Sequence, residues 1–316
     1  MRNMLTLLLF GWLTLTCCSC VRHSEGTLGF VCYCKEAGVG YGVCVDKDYA
    51  YVTNNDGVVI FDVHQPEHPR KVGMISAGLT FGICIENDLA YILGGHGLVI
   101  ADVSDPANPK KLEEYVIEEY KQRLQVEGSY VYIASDVGLE ILSASDFGKI
   151  TTIAQFRDGR ARGVDVCDGI VYLAVPDNGV EVIDVTDPSW PQKIATVSGT
   201  KGAYDVHIHE EYLYVARHRD GIAILNISNK KSPKLAGSFR SDDAGEVKGV
   251  WGDGKYLFVV SNRIEMLDVS DPTSPFKIGE YSRRGGHDLC VDGKFVYVAS
   301  GRKGLLILQL NENQAR

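Results

Sequence analysis

Histidine and acidic side chains are the sequence's first candidates for catalysis or metal binding. His207 and His209 are separated by one residue, so on a β-strand both would face the same side, as two metal ligands would. A metal there could recruit Asp165, His287 or Asp288 as further ligands. Asp165, Asp205 and Asp288 could instead be the paired carboxylates of a hydrolase. No acidic or His/Cys motif recurs with ligand spacing, and the sequence contains no Gly-x-Ser-x-Gly, His-Glu-x-x-His or Walker motif. The pattern therefore predicts no cofactor and favours packed inner-strand histidines over a metal site.

A second set combines cationic, aromatic and imidazole side chains, which bind anions and cover the apolar faces of sugars. Arginine offers a fork of donors to carboxylate or sulfate groups. The set, whose members lie near the start of a repeated unit or in a neighbouring loop, consists of Tyr41, Phe81, Arg123, Arg162, Tyr204, Arg217, Lys248 and His287. We interpret it as a candidate binding surface for an anionic or carbohydrate-like ligand. The alternative is a set of solvated loop cations neutralised by neighbouring acids.

The elements that must position these side chains are seven copies of one unit. Each copy is marked by an aromatic residue, and the markers are Tyr51, Tyr91, Tyr132, Tyr172, Tyr214, Phe258 and Tyr297. Their spacing of 39 to 44 residues indicates one structural unit repeated. Within a copy, four short runs of β-branched and aromatic residues are separated by Gly, Asn, Asp and Pro, which predicts a four-stranded antiparallel meander with strands A to D.

The third run of each copy determines the architecture. Residues 58–61 and 305–308, for example, are apolar without alternation, so strand C must be covered on both faces. Blades stacked around an axis provide that covering, and we predict an all-β, seven-bladed β-propeller. The sixth copy lacks the glycine that the others carry between strands B and C, so its turn should differ.

The ends of the chain predict how the ring closes. The seventh copy has no fourth run before the chain ends, whereas residues 28–34 match the fourth run of copy one. We therefore expect residues 28–34 to complete blade seven and to remove its open edge.

These motifs resemble a known family. Residues 98–103, 179–185 and 304–308 are similar to the LVIVD repeat, which occurs in exported and surface proteins of bacteria and archaea. The resemblance covers roughly residues 28–310 and implies a propeller, but it implies no agreed ligand or reaction. Copy three departs from the pattern at residues 143–148, where Ser-Ala-Ser-Asp-Phe-Gly replaces Asp-Val-x-Asp-Pro, so its outer loop should differ.

The N-terminal 20 residues resemble a bacterial lipoprotein signal. Arg2 precedes a short apolar run, which ends in Leu-Thr-Cys-Cys-Ser-Cys at residues 15–20. We predict lipidation at Cys18, with Cys20 or Cys17 as alternatives, followed by a tether at 21–27 and one propeller domain at 28–316. The protein would then be exported and held at a membrane by its lipid. An ordinary cleaved signal and an uncleaved anchor are the alternatives.

Net charge and cysteine positions exclude or disfavour further classes of function. With 41 acidic against 32 basic residues, the formal net charge is −9, which argues against nucleic-acid binding. Cys44, Cys84 and Cys290 occupy the same place in strand A of copies one, two and seven. We interpret them as small apolar packing residues, with a redox pair or a thiolate metal site as alternatives.

Two functions from different classes remain. The leading prediction is a non-catalytic, lipid-anchored envelope propeller that binds a polysaccharide, peptide or partner protein at the mouth of its channel. The alternative is a hydrolase or lyase acting on a sugar or lactone there, assisted by a metal at His207.

Overall fold

The structure is a computed structural model that describes residues 28–117, 121–146, 149–240, 245–282 and 286–311. Its strands form seven four-stranded antiparallel sheets, and its helical content in these ranges is one short 3₁₀ helix, Lys35–Ala37. The predicted signal at 1–20, the candidate lipidation cysteines and the tether at 21–27 lie outside the described residues. No helix in the described ranges has the length and apolar character needed to cross a membrane.

Each sheet is one blade, and its strands follow one another in sequence except in blade seven. Blade one consists of β2 (Val43–Asp46), β3 (Tyr49–Thr53), β4 (Gly57–Asp62) and β5 (Arg70–Ser76). Blade two consists of β6 (Thr80–Glu86), β7 (Leu89–Gly94), β8 (Gly97–Asp102) and β9 (Lys110–Val116). Blade three consists of β10 (Lys121–Glu127), β11 (Tyr130–Ser135), β12 (Gly138–Asp146) and β13 (Lys149–Phe156). Blade four consists of β14 (Gly163–Cys167), β15 (Ile170–Val175), β16 (Gly179–Asp184) and β17 (Gln192–Val197). Blade five consists of β18 (Asp205–His209), β19 (Tyr212–Ala216), β20 (Ile222–Asn226) and β21 (Lys234–Phe239). Blade six consists of β22 (Gly249–Gly252), β23 (Tyr256–Val260), β24 (Ile264–Asp268) and β25 (Phe276–Tyr281). Blade seven consists of β26 (Asp288–Asp292), β27 (Phe295–Ala299), β28 (Leu305–Leu310) and β1 (Leu28–Cys34).

The N-terminal strand closes the ring, as the sequence predicts. β1 pairs antiparallel with β28, in a register that places Leu28 opposite Leu310 and Cys34 opposite Leu305. A Cβ added to Gly304 would lie 2.3 Å from the carbonyl oxygen of Cys34, so β1 approaches this turn as closely as a strand D should. Blade seven thus draws its strands from both ends of the propeller, and β28 is not left as an open edge.

A glycine is required where strand B turns into strand C. Positive φ values of 77° to 135° occur at Gly57, Gly97, Gly138, Gly179, Gly221 and Gly304. A Cβ at Gly57, for example, would lie 1.9 Å from the carbonyl oxygen of Ile75 in strand D. Blade six has Arg263 at this place without a positive φ, and the Ser261 amide donates to the Arg263 carbonyl at 2.9 Å. The sixth turn differs, as its missing glycine predicts.

The core is divided among the junctions between blades. Seven clusters of buried apolar residues each combine side chains from two neighbouring blades, and the one between blades six and seven includes Leu28 of β1. The innermost strands, A, contact one another in a closed ring around the channel. Because each blade is a meander, the connection into strand A and the B–C turn open on one face, which we call the upper face. The A–B turns and C–D loops open on the opposite, lower face.

Candidate functional site

Strand A supplies the side chains that surround the channel, layer by layer. The upper rim is formed by the described first-position residues Tyr41, Phe81, Arg162, Tyr204, Lys248 and His287. One residue further along each strand A is the second layer: Gly42, Gly82, Arg123, Gly163, Asp205, Gly249 and Asp288. Two residues deeper is the third layer: Cys44, Cys84, Gln125, Asp165, His207, Trp251 and Cys290. The alternation of a strand places the second and third layers on the same side, facing the channel.

One half of the rim is an aromatic arc. Tyr41 contacts Phe81 edge to face with 5.8 Å between ring centroids, and it lies 5.8 Å from the His287 ring on its other side. The Tyr41 hydroxyl donates to Asn55 Oδ1 at 3.0 Å, which fixes the ring's direction. Burial lowers the pKa of His287, the neighbouring Lys248 lowers it further, and Asp288 opposes this shift. The arc therefore offers neutral ring faces with one cation beside them.

The other half of the rim combines rings with cations. The Arg162 guanidinium lies over the Tyr204 ring, 5.8 Å from its centroid, and Tyr204 stacks on His218 at 5.6 Å. His218 Nε2 lies 3.2 Å from a Glu246 carboxylate oxygen. Among the described residues, no hydrogen bond or ion pair occupies the guanidinium of Arg162 or the ammonium of Lys248. These two half-buried cations remain available to a ligand.

Arg217, which the sequence also placed in the candidate set, is committed to the loops of blade five. Its guanidinium donates to the carbonyl oxygens of Gly199 at 2.9 Å, Asp220 at 2.9 Å and Ile222 at 3.0 Å. Burial lowers the pKa of Arg217, and Asp220 counteracts that shift. The side chain therefore holds the B–C turn together and presents few free donors to the upper face.

Arg123 lies inside the channel, one layer below the rim. Its Nη1 is 2.7 Å from Asp288 Oδ1 and its Nη2 is 3.4 Å from Asp205 Oδ2, so blade three is linked across the channel to blades seven and five. Gly249 lies beside this group, and a Cβ there would make an ordinary contact of 3.7 Å with Arg123 Nη2. One arginine thus spans the channel at the level of the second layer.

The two acids also tie neighbouring blades together. Asp205 Oδ2 accepts from the Val250 amide of blade six at 3.3 Å, and Asp288 Oδ2 accepts from the Val43 amide of blade one at 3.2 Å. Burial raises the pKa of Asp205 to about 6, Arg123 opposes the shift, and Asp288 adds to it. For Arg123, burial favours the neutral form, but Asp205 and Asp288 outweigh it and hold the arginine pKa above its usual value.

The histidine and acid of the third layer are satisfied within the protein. Asp165 accepts from Gln125 Nε2 at 3.0 Å and from the Ile208 amide at 2.7 Å. His207 Nε2 lies 3.1 Å from the Gly252 carbonyl oxygen, and its ring stacks on Trp251 at 5.5 Å. Burial raises the pKa of Asp165 and lowers that of His207, and each group opposes the other's shift.

The third layer also contains the candidate metal ligand His207 and the three cysteines aligned in strand A. In the described residues, no group of three or more His, Cys, Asp and Glu side chains is arranged to hold a metal ion, around His207 and His209 or elsewhere. Cys44, Cys84 and Cys290 are free thiols, and burial raises the pKa of Cys44 and of Cys84 to about 12. A protonated thiol is a poor nucleophile and metal ligand, which fits a packing role.

A fourth layer, which the sequence analysis did not single out, lies at the lower end of strand A. Its members are Asp46, Glu86, Glu127, Cys167, His209, Asp253 and Asp292. Five of these seven are acidic, whereas the described rim has no acid. Glu127 is typical of their use, because its carboxylate accepts from the Asp168 amide at 2.7 Å and the Gly169 amide at 3.2 Å. Extending the repeat alignment by two residues would have revealed this acidic ring.

Comparison with known proteins identifies the repeat and the fold. The LVIVD repeat model matches residues 37–75, 77–116, 120–151, 158–198, 201–241, 244–282 and 284–309. No curated protein matches the chain at a significant level.

Among solved structures, the chain is similar to the β-propeller domain of Myceliophteria thermophila Cps50 (Swd1), with 11% identity, a TM-score of 0.72, and 87% of this chain and 97% of that chain covered. It is also similar to a protein from Lactobacillus plantarum, with 16% identity, a TM-score of 0.68, and coverage of 78% and 87%. A functionally unknown protein from Desulfotomaculum acetoxidans has 13% identity, a TM-score of 0.65 and the same coverage, 78% and 87%. At these identities the likenesses show the fold alone.

Proposed function

The chain belongs to the LVIVD repeat family, and we propose that it is a lipid-anchored binding propeller that holds an anionic carbohydrate at its upper rim. A polysaccharide with carboxylate or sulfate groups fits best, because its charges and its apolar ring faces match the two kinds of group on the rim. A peptide or a partner protein with an acidic surface would use the same groups.

The observation that carries the proposal is that the cations of the rim lack acidic partners, whereas the arginine in the channel has two. Arg162 lies over Tyr204 and Lys248 lies near His287, both with their donors open in the described residues, whereas Arg123 is paired with two carboxylates. Arginine beside an aromatic ring can grip a carboxylate while the ring covers a sugar face. Groups arranged in this way suit recognition and require no bond to be made or broken.

The test is a screen of neutral, carboxylated and sulfated polysaccharides against the mature protein, followed by two matched substitutions. Arg162→Ala should weaken binding of a charged polysaccharide by about 1.5–3 kcal/mol, the range for a charge-assisted hydrogen bond. Arg70→Ala is the control, because Arg70 lies at the lower end of strand D and pairs with Asp62 at 2.6 Å. Equal losses of polysaccharide affinity from both substitutions, or unchanged affinity in Arg162→Ala, would show that the ligand does not bind at the upper rim.

The enzyme alternative draws on one observation, the buried acid pair beside Arg123. Asp205 has a pKa raised to about 6, mainly by burial, and Asp288 shares its arginine partner. A carboxyl group that holds its proton near neutral pH is suited to general acid catalysis on a sugar or lactone. The same screen decides between the functions, because product release that Asp205→Asn abolishes would replace the binding proposal by a hydrolase or lyase.

The membrane anchor is a separate part of the proposal. It is supported by the sequence Leu-Thr-Cys-Cys-Ser-Cys at residues 15–20, after a short apolar run. Mass spectrometry of the N-terminus from a native envelope fraction should find a lipid on Cys18, Cys20 or Cys17. An unmodified terminus beyond residue 20 would leave a free exported protein.

A further inference from the structure

On the lower face, the connection from strand C to strand D is built differently in blade three. In blades with the Asp-Pro pattern, the connection from strand C to strand D forms a compact loop, such as residues 103–109 between β8 and β9. In blade three the two strands continue to pair instead, with Ser143 opposite Thr151 and Asp146 opposite Lys149. Residues that elsewhere form a loop are therefore used to extend a hairpin.

At other junctions, the loop of one blade packs against strand D of the blade before it. A Cβ on Gly73 of blade one would lie 2.1 Å from the Pro106 carbonyl oxygen of blade two, and a Cβ on Gly237 of blade five would lie 2.0 Å from that of Pro272 in blade six. At the closing seam, Cys32 Sγ lies 3.7 Å from the Pro66 carbonyl oxygen. A proline-containing loop thus fills the outer space at these three junctions. At the junction of blades six and seven, which has no such loop, Phe30 and Tyr33 of β1 contact Tyr281 instead.

Between blades two and three, this space is a groove open to solvent, with a volume of about 580 Å³. Its apolar surface comes mainly from Tyr91, Ile100, Leu112 and Ile150, with Glu113 at the place where blade one has Gly73. Ile100 is 7% exposed, whereas the equivalent residues of the other six blades are at most 2% exposed. The groove therefore uncovers a surface that is fully covered elsewhere.

The junction between blades four and five shows what such a surface binds. The Tyr172 hydroxyl of blade four donates to the Lys230 carbonyl in the loop of blade five at 2.9 Å. The ammonium of Lys230 lies 2.5 Å from Asp168, and that of Lys231 lies 2.6 Å from Asp184 Oδ2. One loop with the sequence Asn-Lys-Lys-Ser-Pro at residues 229–233 thus supplies a carbonyl, two cations and a proline.

Blade two repeats the tyrosine and one of the two acids without that loop, and Asn87 stands where blade four has Asp168. Tyr91 and Asp102 are the counterparts of Tyr172 and Asp184 in the repeat alignment. Asp102 Oδ1 accepts from the Ser104 amide at 2.9 Å, while Asp102 Oδ2 and the Tyr91 hydroxyl have no partner among the described residues. With Glu113 alongside, the blade two wall of the groove carries negative charge that a cationic occupant would complement.

We propose that the groove between blades two and three binds an exposed, lysine-bearing, proline-containing loop of a partner protein. The partner's loop replaces the Asp-Pro loop that blade three lacks: its backbone carbonyl accepts from Tyr91, and its lysines pair with Asp102 and Glu113. The site is separate from the upper rim, so the protein can hold a ligand on one face and a partner on the other.

The probe is a cyclic peptide that carries residues 226–235 of this chain, titrated into the full mature protein by calorimetry and by NMR. We expect saturable binding, with chemical-shift changes at Gly128, Ser129 and Ala144, which line the groove. Asp102→Asn should weaken binding by roughly tenfold or more, as expected when a charge-assisted pair is lost. Replacing Lys230 and Lys231 of the peptide by glutamine should have a similar effect.

Two controls separate recognition from folding. Asp268 of blade six holds the same turn, accepting from the Ser270 amide at 2.9 Å, so Asp268→Asn should alter the turn equally and leave peptide binding unchanged. Tyr91→Phe should preserve the fold, because blade six has Phe258 at the equivalent position, and should still weaken binding several-fold. Absence of saturable binding up to about 1 mM peptide, equal losses in the two Asp→Asn variants, or shifts confined to the upper face would overturn the proposal.

Discussion

The interior of the channel and its upper rim use similar side chains for different purposes. Inside, Arg123 meets Asp288 at 2.7 Å and Asp205 at 3.4 Å; its own side chain is 25% exposed, whereas the two carboxylates are only 14% and 10% exposed. At the rim, Arg162 lies over an aromatic ring and has no such partner among the described residues. A nearly buried carboxylate must be paired because it has lost its hydration, whereas a half-buried cation without an acid beside it can keep water until a ligand replaces it. The acids around an arginine, rather than the presence of the arginine, therefore separate a structural link from a candidate contact.

Arg123→Met gives the largest expected effect, because it leaves Asp205 and Asp288 buried without their cation. We expect a loss of about 3–5 kcal/mol in the free energy of unfolding, the usual result of breaking a buried ion pair from one side. Chemical denaturation measures it. The matched variant Arg162→Met at the rim should change stability by no more than about 0.5 kcal/mol. Similar losses of unfolding free energy in both variants would show that Arg123 and Arg162 contribute equally to stability, which contradicts the proposed difference.

Asp205→Asn tests the electrostatics of the same link through its pH dependence. The pKa of Asp205 is raised from 3.8 to about 6, so the folded state binds the proton more tightly than the unfolded state. The contribution of this group is therefore present below pH 4 and is lost as pH rises through about 6, by an amount on the order of 2–3 kcal/mol.

The measurement is unfolding at several pH values between about 4 and 7. The wild-type protein should show this loss and Asp205→Asn should not, since an amide does not titrate. A difference between the two proteins that stays constant with pH would mean that Asp205 is ionised throughout.

Lys248→Gln addresses the rim. Because the Lys248 ammonium is unpaired in the described residues, its removal should leave the free energy of unfolding unchanged within about 0.5 kcal/mol. Binding of the charged polysaccharide found in the screen should weaken by about 1.5 kcal/mol, and less at high salt. Calorimetry at two ionic strengths measures this change in affinity. A loss of stability without a loss of binding would mean that Lys248 has a structural role, as Arg123 does.

The smallest expected effect concerns His287, whose pKa is lowered by burial and by Lys248. NMR titration should place the pKa of His287 below its ordinary value and should show it rising in Lys248→Gln. As pH falls through that pKa, the imidazole gains a charge, and affinity for an anion should rise roughly two- to fivefold. His287→Gln should lack this rise; an unchanged rise in that variant would assign it to another group.

Much of the fold followed from sequence, for a physical reason. A period near 40 residues, a turn glycine and an unbroken apolar strand C are local requirements, so Gly57 and its equivalents predict each blade separately. The placement of β1 beside β28 was also predictable, because residues 28–34 repeat the pattern of a strand D. The rim was partly predictable, since aligned repeats give aligned strand starts.

Other features required the folded ring. Arg217 was a candidate contact by its loop position, yet it donates to carbonyl groups of Gly199, Asp220 and Ile222. The departure of blade three at residues 143–148 was visible in the sequence, but the groove it leaves beside Ile100 was not. Both depend on which neighbour a side chain meets, and that is set by packing between blades.

Seven meanders, their order and the strand that closes them are specified by local sequence, because they depend on hydrophobic period and turn chemistry within about 40 residues. The pairing of Arg123 with two acids from blades five and seven, more than 80 positions away in the chain, is specified by the closed ring. Closing the ring brings strands A to one axis, where desolvation forces opposite charges to pair. The difference between the paired arginine of the channel and the unpaired cations of the rim arises from that closure.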